Sequence, residues 1–321
     1  MCRLGFVIPK KDFNPLPIIR STIFLYSESN PHGYGYSYVV NDGKNKRIVT
    51  CKSPGCAMKH LLQAIAQDTF KPTNKVYTSA AILHTRYATA GKHTWTNTHP
   101  FVNEDKWLTL AHNGVLWNWQ EQQDKLKEKG HKFKSNVDSE VLLHLLEDAI
   151  IANDYTEFFK GLSGSITFVA ISKRVRNDTI MYFYTNNGTL NIYNTINGIF
   201  AFSDTDPKVF LPEDSTKIEI DDNVIYAIST KEYLQAAKDG SSFNLQKLFT
   251  FVKPVDPVYP NPWQNKGYDF QNGYSNSKSK RKKKKKQQKL NQYARNDYDQ
   301  NEIDNLSQKE IEEINREYEK Y

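Results

Sequence analysis

Three cysteines in 321 residues are too few to staple a fold, and their spacing builds no disulfide framework. No secretory leader is read at the start, and no apolar run approaches the ~20 residues that a membrane-crossing helix needs. These absences exclude a disulfide-built secreted module and a bundle of membrane spans, and the expected setting is the reducing cytoplasm. Acidic residues are missing from one stretch: Lys278 to Lys289 holds nine lysines or arginines and no acid. Without that stretch the formal charge of +7 becomes −2. The basicity therefore belongs to a segment and gives no ground for expecting a nucleic-acid-binding face on the folded body.

What remains is a globular composition, 13% aromatic, long enough for one large domain or two modest ones. Residues 2–9 form a short strand pattern stopped by Pro9. Ile18–Tyr26 and Tyr34–Val40 are rich in β-branched and aromatic residues and read as two further strands around the turn Asn30-Pro31-His32-Gly33. A strand at Arg47–Cys51 precedes a helix on which Met58, Leu61, Leu62 and Ile65 share one face. Ser79–Leu83 is an apolar strand ending at His84-Thr85-Arg86, and Trp107–Ala111 another ending at His112-Asn113-Gly114. Asn118 with Glu121 predicts a capping box for a helix closed by Gly130, and Asp138, a favoured N-cap residue type, opens a third helix. Strand patterns then recur at 165–172, 179–184, 190–193, 199–202, 217–220 and 223–228. The globular domain is expected over 1–255. A Pro-marked linker and a Lys-rich low-complexity tail with a short terminal helix, capped by Ser307 and Glu310, follow at 256–321.

The chemistry begins at the first residues, Met1-Cys2-Arg3. Removal of Met1 would place a thiol and a free α-amine on one residue, and that amine titrates at about 7.7–8.0. Taken alone, Cys2 is more often a small apolar residue starting a strand. In order after it come His84-Thr85-Arg86-Tyr87-Ala88-Thr89-Ala90-Gly91, Asn97-Thr98-His99-Pro100-Phe101, His112-Asn113-Gly114 and Asp138-Ser139-Glu140. This set resembles the glutaminase domain of class II glutamine amidotransferases, N-terminal-nucleophile enzymes, and is more similar to their stand-alone branch than to full-length sugar-phosphate synthases.

The resemblance implies an α+β fold, the four-layer αββα sandwich of N-terminal-nucleophile hydrolases, and an enzyme in which Cys2 attacks the side-chain amide of glutamine. It implies an oxyanion hole from Asn113 and Gly114, with Arg86, Tyr87, Thr89 and Asp138 on the substrate. The residue types suit these tasks: a guanidinium offers a planar fork to the α-carboxylate, and Asp138 a charge to the α-ammonium. Asn-Gly is also an ordinary tight turn, and an Asp before a helix an ordinary cap. Three departures from synthase-type relatives stand out: Ala90 replaces a histidine, Arg3 a glycine, and the family's Arg-Gly-x-Asp-Ser-x-Gly phrase is only faintly echoed by His32-Gly33-Tyr34-Gly35-Tyr36-Ser37.

No cofactor or metal is expected. Cys51, Cys56 and His60 lack a matched second ligand pair, and His84, His93, His99 and His112 are read as loop and strand-end residues of the glutaminase site. Expected partners are glutamine or a γ-glutamyl compound, a synthase chain that accepts ammonia, and an acidic protein or nucleic acid for the tail. Hydrolysis of γ-glutamyl peptides, or a non-catalytic protein that keeps the fold for binding, are the other readings left open.

Overall fold

The computed structural model describes residues 2–250 except 11–12, 28, 42–45, 58–76, 88–92, 176–177 and 204–210. The helix expected at Met58–Ile65, Thr89, and the linker, Lys-rich tail and terminal helix lie outside the described residues. All described residues fall within one compact unit, Met1–Pro254.

In chain order the described elements begin β1 (Arg3–Pro9), α1 (Leu16–Ser27), β2 (Tyr34–Asn41), β3 (Lys46–Ser53), β4 (Tyr77–Thr85), β5 (Phe101–Val102) and β6 (Leu108–Leu116). Two helices, α2 (Trp119–Glu128) and α3 (Asp138–Ala152), and the single turn α4 (Thr156–Lys160) follow. Then come β7 (Gly164–Ser172), β8 (Ile180–Thr185), β9 (Asn191–Thr195), β10 (Gly198–Phe202), β11 (Thr216–Ile218) and β12 (Val224–Ser229). Helix α5 (Thr230–Asp239) and β13 (Gln246–Thr250) complete the set.

The strands make two antiparallel sheets, ordered β11-β9-β10-β1-β4-β2-β3 and β13-β12-β8-β7-β6-β5. Both faces of each are covered, which is why their central strands are apolar almost without alternation. On β1, Leu4, Phe6 and Ile8 pack between the sheets against Val169 and Ile171 of β7 and Met181 and Phe183 of β8. The intervening Val7 faces the other way, onto Ile19 and Ile23 of α1. On the far side, Phe168 and Ala170 of β7 meet Val141, Leu142 and Leu145 of α3 and Leu126 of α2. The period of two in a strand thus feeds two cores at once and stacks helix, sheet, sheet, helix. This is the expected four-layer α+β sandwich.

Four local expectations are corrected. Ile18–Tyr26 is not a strand but most of α1. Asn14 Oδ1 accepts the Leu16 N–H at 3.1 Å, and Pro15 and Pro17 stand where a helix start has no N–H to satisfy. Burial of Ile19 and Ile23, four apart, then outweighs the β-branched composition. The second correction is that β6 does not stop at Ala111; it runs through His112-Asn113-Gly114 to Leu116, so this Asn-Gly is no turn. Gly114 has φ +130°, and a Cβ there would collide with the Ser165 carbonyl oxygen on β7. Thirdly, Asn118 caps nothing with its side chain, which instead donates to the Gly161 carbonyl at 3.0 Å. Finally, Asp138 is the first residue of α3, not its cap; Val137 occupies the cap position.

Candidate active site

Antiparallel pairing brings the chain start to the end of two strands. Arg3 of β1 is opposite Thr85 of β4, so Cys2 falls beside Arg86 and Tyr87. Gly5 is opposite Phe202 of β10, so Ser203 follows next to Leu4. The Cys2 Sγ accepts the Tyr87 backbone N–H at 3.2 Å and lies 3.4 Å from the Tyr87 carbonyl oxygen, toward which its S–H points. Burial pushes the Cys2 thiol up; the Tyr87 backbone contact and the Arg86 charge pull it down by less. Arg86 is 5% exposed, and burial depresses its guanidinium against the attraction of Cys2. Its main chain is fixed by bonds from Arg86 N–H to Gly33 O, 2.7 Å, and from His32 N–H to Arg86 O, 3.1 Å.

The opposite sheet contributes through β6. Alternation sends Ala111 and Asn113 toward the first sheet, and Leu110, His112 and Leu116 toward α3. Asn113 Nδ2 donates to the Cys2 carbonyl at 3.0 Å and to Ser203 Oγ at 3.1 Å. Ser203 in turn grips β1 twice: its Oγ accepts the Leu4 N–H and its N–H donates to Leu4 O, each at 2.9 Å. On the other face, His112 Nδ1 lies 3.0 Å from Ser139 Oγ, and Ser139 donates to Asp138 Oδ1 at 3.3 Å. Asp138 Oδ2 accepts the Leu116 N–H at 2.8 Å. Glu140 completes the turn before α3, accepting the N–H groups of Lys134 and Ser135 and the Ser135 hydroxyl.

Behind Asn113 lie three buried imidazoles. His84 and His99 pack with ring centroids 4.0 Å apart, and His99 stands edge-on to Phe101 at 4.8 Å. Both ring nitrogens of His84 and of His99, and Nε2 of His112, make no hydrogen bond within the described residues; the Asn113 side chain approaches His84 without reaching bonding geometry. Burial drives His84 down to about 3 and His99 well below its ordinary range. His112 is lowered by burial too, partly countered by Asp138. His93 is not part of this group; it stacks on His32 at 4.5 Å, and the His32 ring lies tilted against Tyr87 at 5.1 Å.

Two contributors went unnoticed in the sequence. Ser203 shows the same abrupt polar residue after an apolar strand as His84-Thr85-Arg86, so a signal existed. Lys52 had none: a lysine near the end of β3, it donates to the carbonyls of Thr98, 2.7 Å, and Pro100, 3.1 Å, and lies 4.3 Å from the Trp95 ring centroid. Burial lowers it to about 8. It pins the loop on which Trp95 stands half-exposed.

Residues 67–239, more than half of the chain, match the family model described as the glutamine amidotransferase domain. The chain belongs to that family, among the class II glutamine amidotransferases. An isomerizing glutamine–fructose-6-phosphate aminotransferase of Helicobacter pylori is 28% identical over 176 residues, 53% of this chain and 28% of the relative. An enzyme of the same name from Thermus thermophilus is 48% identical over 65 residues, 20% of this chain and 11% of the relative. Among solved structures, an allosteric regulatory enzyme of purine biosynthesis superposes with TM-score 0.58 at 21% identity. Glutamine phosphoribosylpyrophosphate amidotransferase from B. subtilis superposes at 0.54, also at 21% identity. Each of these two covers 78% of this chain and is itself covered over 50%. The glutamine amidotransferase chain thus spans half or less of the proteins it resembles. The family match holds Arg86, Asn113, Gly114 and Asp138, while Cys2 lies ahead of it.

Proposed function

We propose that this glutamine amidotransferase domain, over about residues 1–255, releases ammonia from glutamine through Cys2. The observation that carries this reading is the convergence on Cys2: Tyr87 N–H on its sulfur and the Asn113 amide on its carbonyl, from opposite sheets. A thiol raised by burial is protonated near neutrality, so attack requires a base. The Cys2 α-amine, exposed once Met1 is removed, supplies it.

Thiolate attack on the amide carbon puts negative charge on the former carbonyl oxygen, which the Asn113 amide and the Gly114 N–H receive. The α-amine hands its proton to the leaving nitrogen, ammonia departs, and the γ-glutamyl thioester on Cys2 is resolved by water. Arg86 binds the α-carboxylate and Asp138 the α-ammonium, with Tyr87 and Thr89 lining the substrate. Both amide hydrogens of Asn113 are engaged in the structure, so glutamine binding must exchange one of them for the oxyanion.

Ammonia passes to an acceptor held by a synthase partner, and the Lys-rich tail offers an acidic protein or nucleic acid a contact. Among the described residues no helix is long and apolar enough to cross a membrane, and we place the activity in the reducing cytoplasm, where the Cys2 thiol stays reduced. The test combines intact mass with a glutamine-analogue electrophile and measures ammonia from glutamine and from γ-glutamyl peptides. Loss of Met1, one label on Cys2 and ammonia from glutamine are expected. An unlabelled thiol in folded protein overturns the reading, and turnover of peptides alone makes the enzyme a γ-glutamyl hydrolase.

A further inference from the structure

We propose that His131, His144 and Glu147 form a binding site for one divalent cation of the zinc class, apart from the Cys2 centre and independent of its chemistry. No such site was expected from the sequence. One ligand atom from each residue lies within 4.8 Å of the other two. From Glu147 Oε2 the distances are 2.8 Å to His144 Nδ1 and 3.8 Å to His131 Nδ1. Neighbouring ligands of a tetrahedral ion with bonds of 2.0–2.1 Å are about 3.3 Å apart, between these two values. Movements of about half an ångström would bring both Glu147 pairs to that spacing, and the two histidine nitrogens, within 4.8 Å of each other, would close by up to about 1.5 Å around the ion. His131 Nδ1 at 3.8 Å is too far to hydrogen-bond the carboxylate it faces.

The surroundings hold these three as metal ligands are usually held. His131 Nε2 is 2.9 Å from Asp148 Oδ1; donating there leaves the Nδ1 lone pair directed at Glu147. Asp148 is itself bound by Lys129 Nζ at 2.9 Å. The second oxygen of Glu147 accepts the Asn103 amide at 2.7 Å, which leaves Oε2 for the ion. The two imidazole centroids are 4.6 Å apart, and Phe133 stands edge-on to His144 at 5.0 Å, a partly apolar wall that favours a bound over a hydrated ion. Side-chain exposure rises from 3% at His144 through 11% at Glu147 to 16% at His131, so the approach is from the His131 side, where water would fill the fourth position. Two nitrogens and one carboxylate oxygen suit zinc, and by the same preference cobalt as a reporter. An ion there would tie the turn after α2 to the middle of α3, the helix that begins at Asp138.

The experiment uses the full chain, without a histidine tag and stripped by chelator, titrated with Co²⁺ and then Zn²⁺. One equivalent of Co²⁺ with tetrahedral ligand-field bands and no thiolate charge-transfer band is expected, displaced by Zn²⁺, which raises the melting temperature. His131→Ala and Glu147→Gln should weaken binding at least 100-fold and abolish the rise, and Asp148→Asn should weaken it about 10–100-fold. His131→Ala, on the turn, tests the same point if the helix variant fails to fold. Substoichiometric uptake by the wild type, a thiolate band, or unchanged binding in His131→Ala would overturn the proposal.

Discussion

Asn113 on β6 donates its side-chain amide to the main-chain carbonyl of Cys2 at 3.0 Å, a bond that joins the two sheets at the residue proposed to be acylated. The same amide is the proposed oxyanion donor, so in this proposal one side chain would both hold the nucleophile's main chain and stabilise the charge its attack creates. Asn113→Ala should lower kcat for glutamine by about 10²–10³, the usual loss for one such donor. Asn113→Asp, which keeps the shape but has no N–H, should lose as much. A loss under about tenfold in ammonia release by either variant would remove Asn113 from the mechanism.

Ser203 acts one step further back, through Leu4 and Asn113. In Ser203→Ala the Leu4 N–H, buried and bonded to Ser203 Oγ, loses its acceptor, a cost of about 1–3 kcal/mol. The distinguishing readout is the rate at which a glutamine-analogue electrophile labels Cys2 well below the melting transition. That rate should fall severalfold, because Asn113 loses one of its two anchors. A lowered melting temperature with unchanged labelling would leave Ser203 a purely structural residue.

The histidines behind Asn113 predict an acid weakness. His84 is held neutral down to about pH 3, whereas in the unfolded chain it titrates near 6.5. Below about pH 6.5 the unfolded state binds a proton that the folded state refuses. Stability is therefore full above that pH and is lost as the pH falls toward 3, by about 1.4 kcal/mol per pH unit for each such group. His99 adds to this, and His112 adds less because Asp138 favours its charged form. Melting temperatures measured from pH 8 to 4 should fall steeply below 6.5. His84→Asn, neutral throughout, should flatten the slope; an unchanged slope would show that His84 is not the group titrating.

How far the sequence carried depended on whether local pattern and tertiary context agreed. β1, β4 and β7 were legible because buried strands leave unbroken apolar runs, and the motif order named the residues from which the proposed site is built. α1 was misread because Ile18, Ile19, Thr22 and Ile23 favour strands, while its start is marked only by Asn14 and two prolines. α5 went unseen although Ser229 accepts the Glu232 N–H at 3.0 Å and Gly240 is left-handed, a complete cap at each end. Asn113-Gly114 has the same letters as a hairpin turn, and only pairing along β7 keeps it extended. The ligand set of the proposed metal site escaped because His131 is thirteen or more residues from its companions, with no spacing rule to join them.

Asp138 offers the sharpest separation of binding from folding. Its Oδ2 accepts the Leu116 N–H at 2.8 Å, and Ser139 donates to Oδ1 at 3.3 Å. An asparagine keeps an oxygen for Leu116 and so preserves most of the local structure, but it has no charge for an ammonium. Asp138→Asn should therefore melt close to the wild type while losing a charge-assisted bond worth about 1.5–3 kcal/mol, a roughly 10–150-fold rise in KM for glutamine. Asp138→Ala should raise KM similarly and also lower the melting temperature, because the Leu116 N–H is stranded. The discriminating substrate is a glutamine analogue without the α-amino group, which gives Asp138 nothing to hold. Wild type and Asp138→Asn should turn it over at similar kcat/KM. If the variant is equally impaired on both substrates, Asp138 shapes the strand β6 and does not bind the α-ammonium.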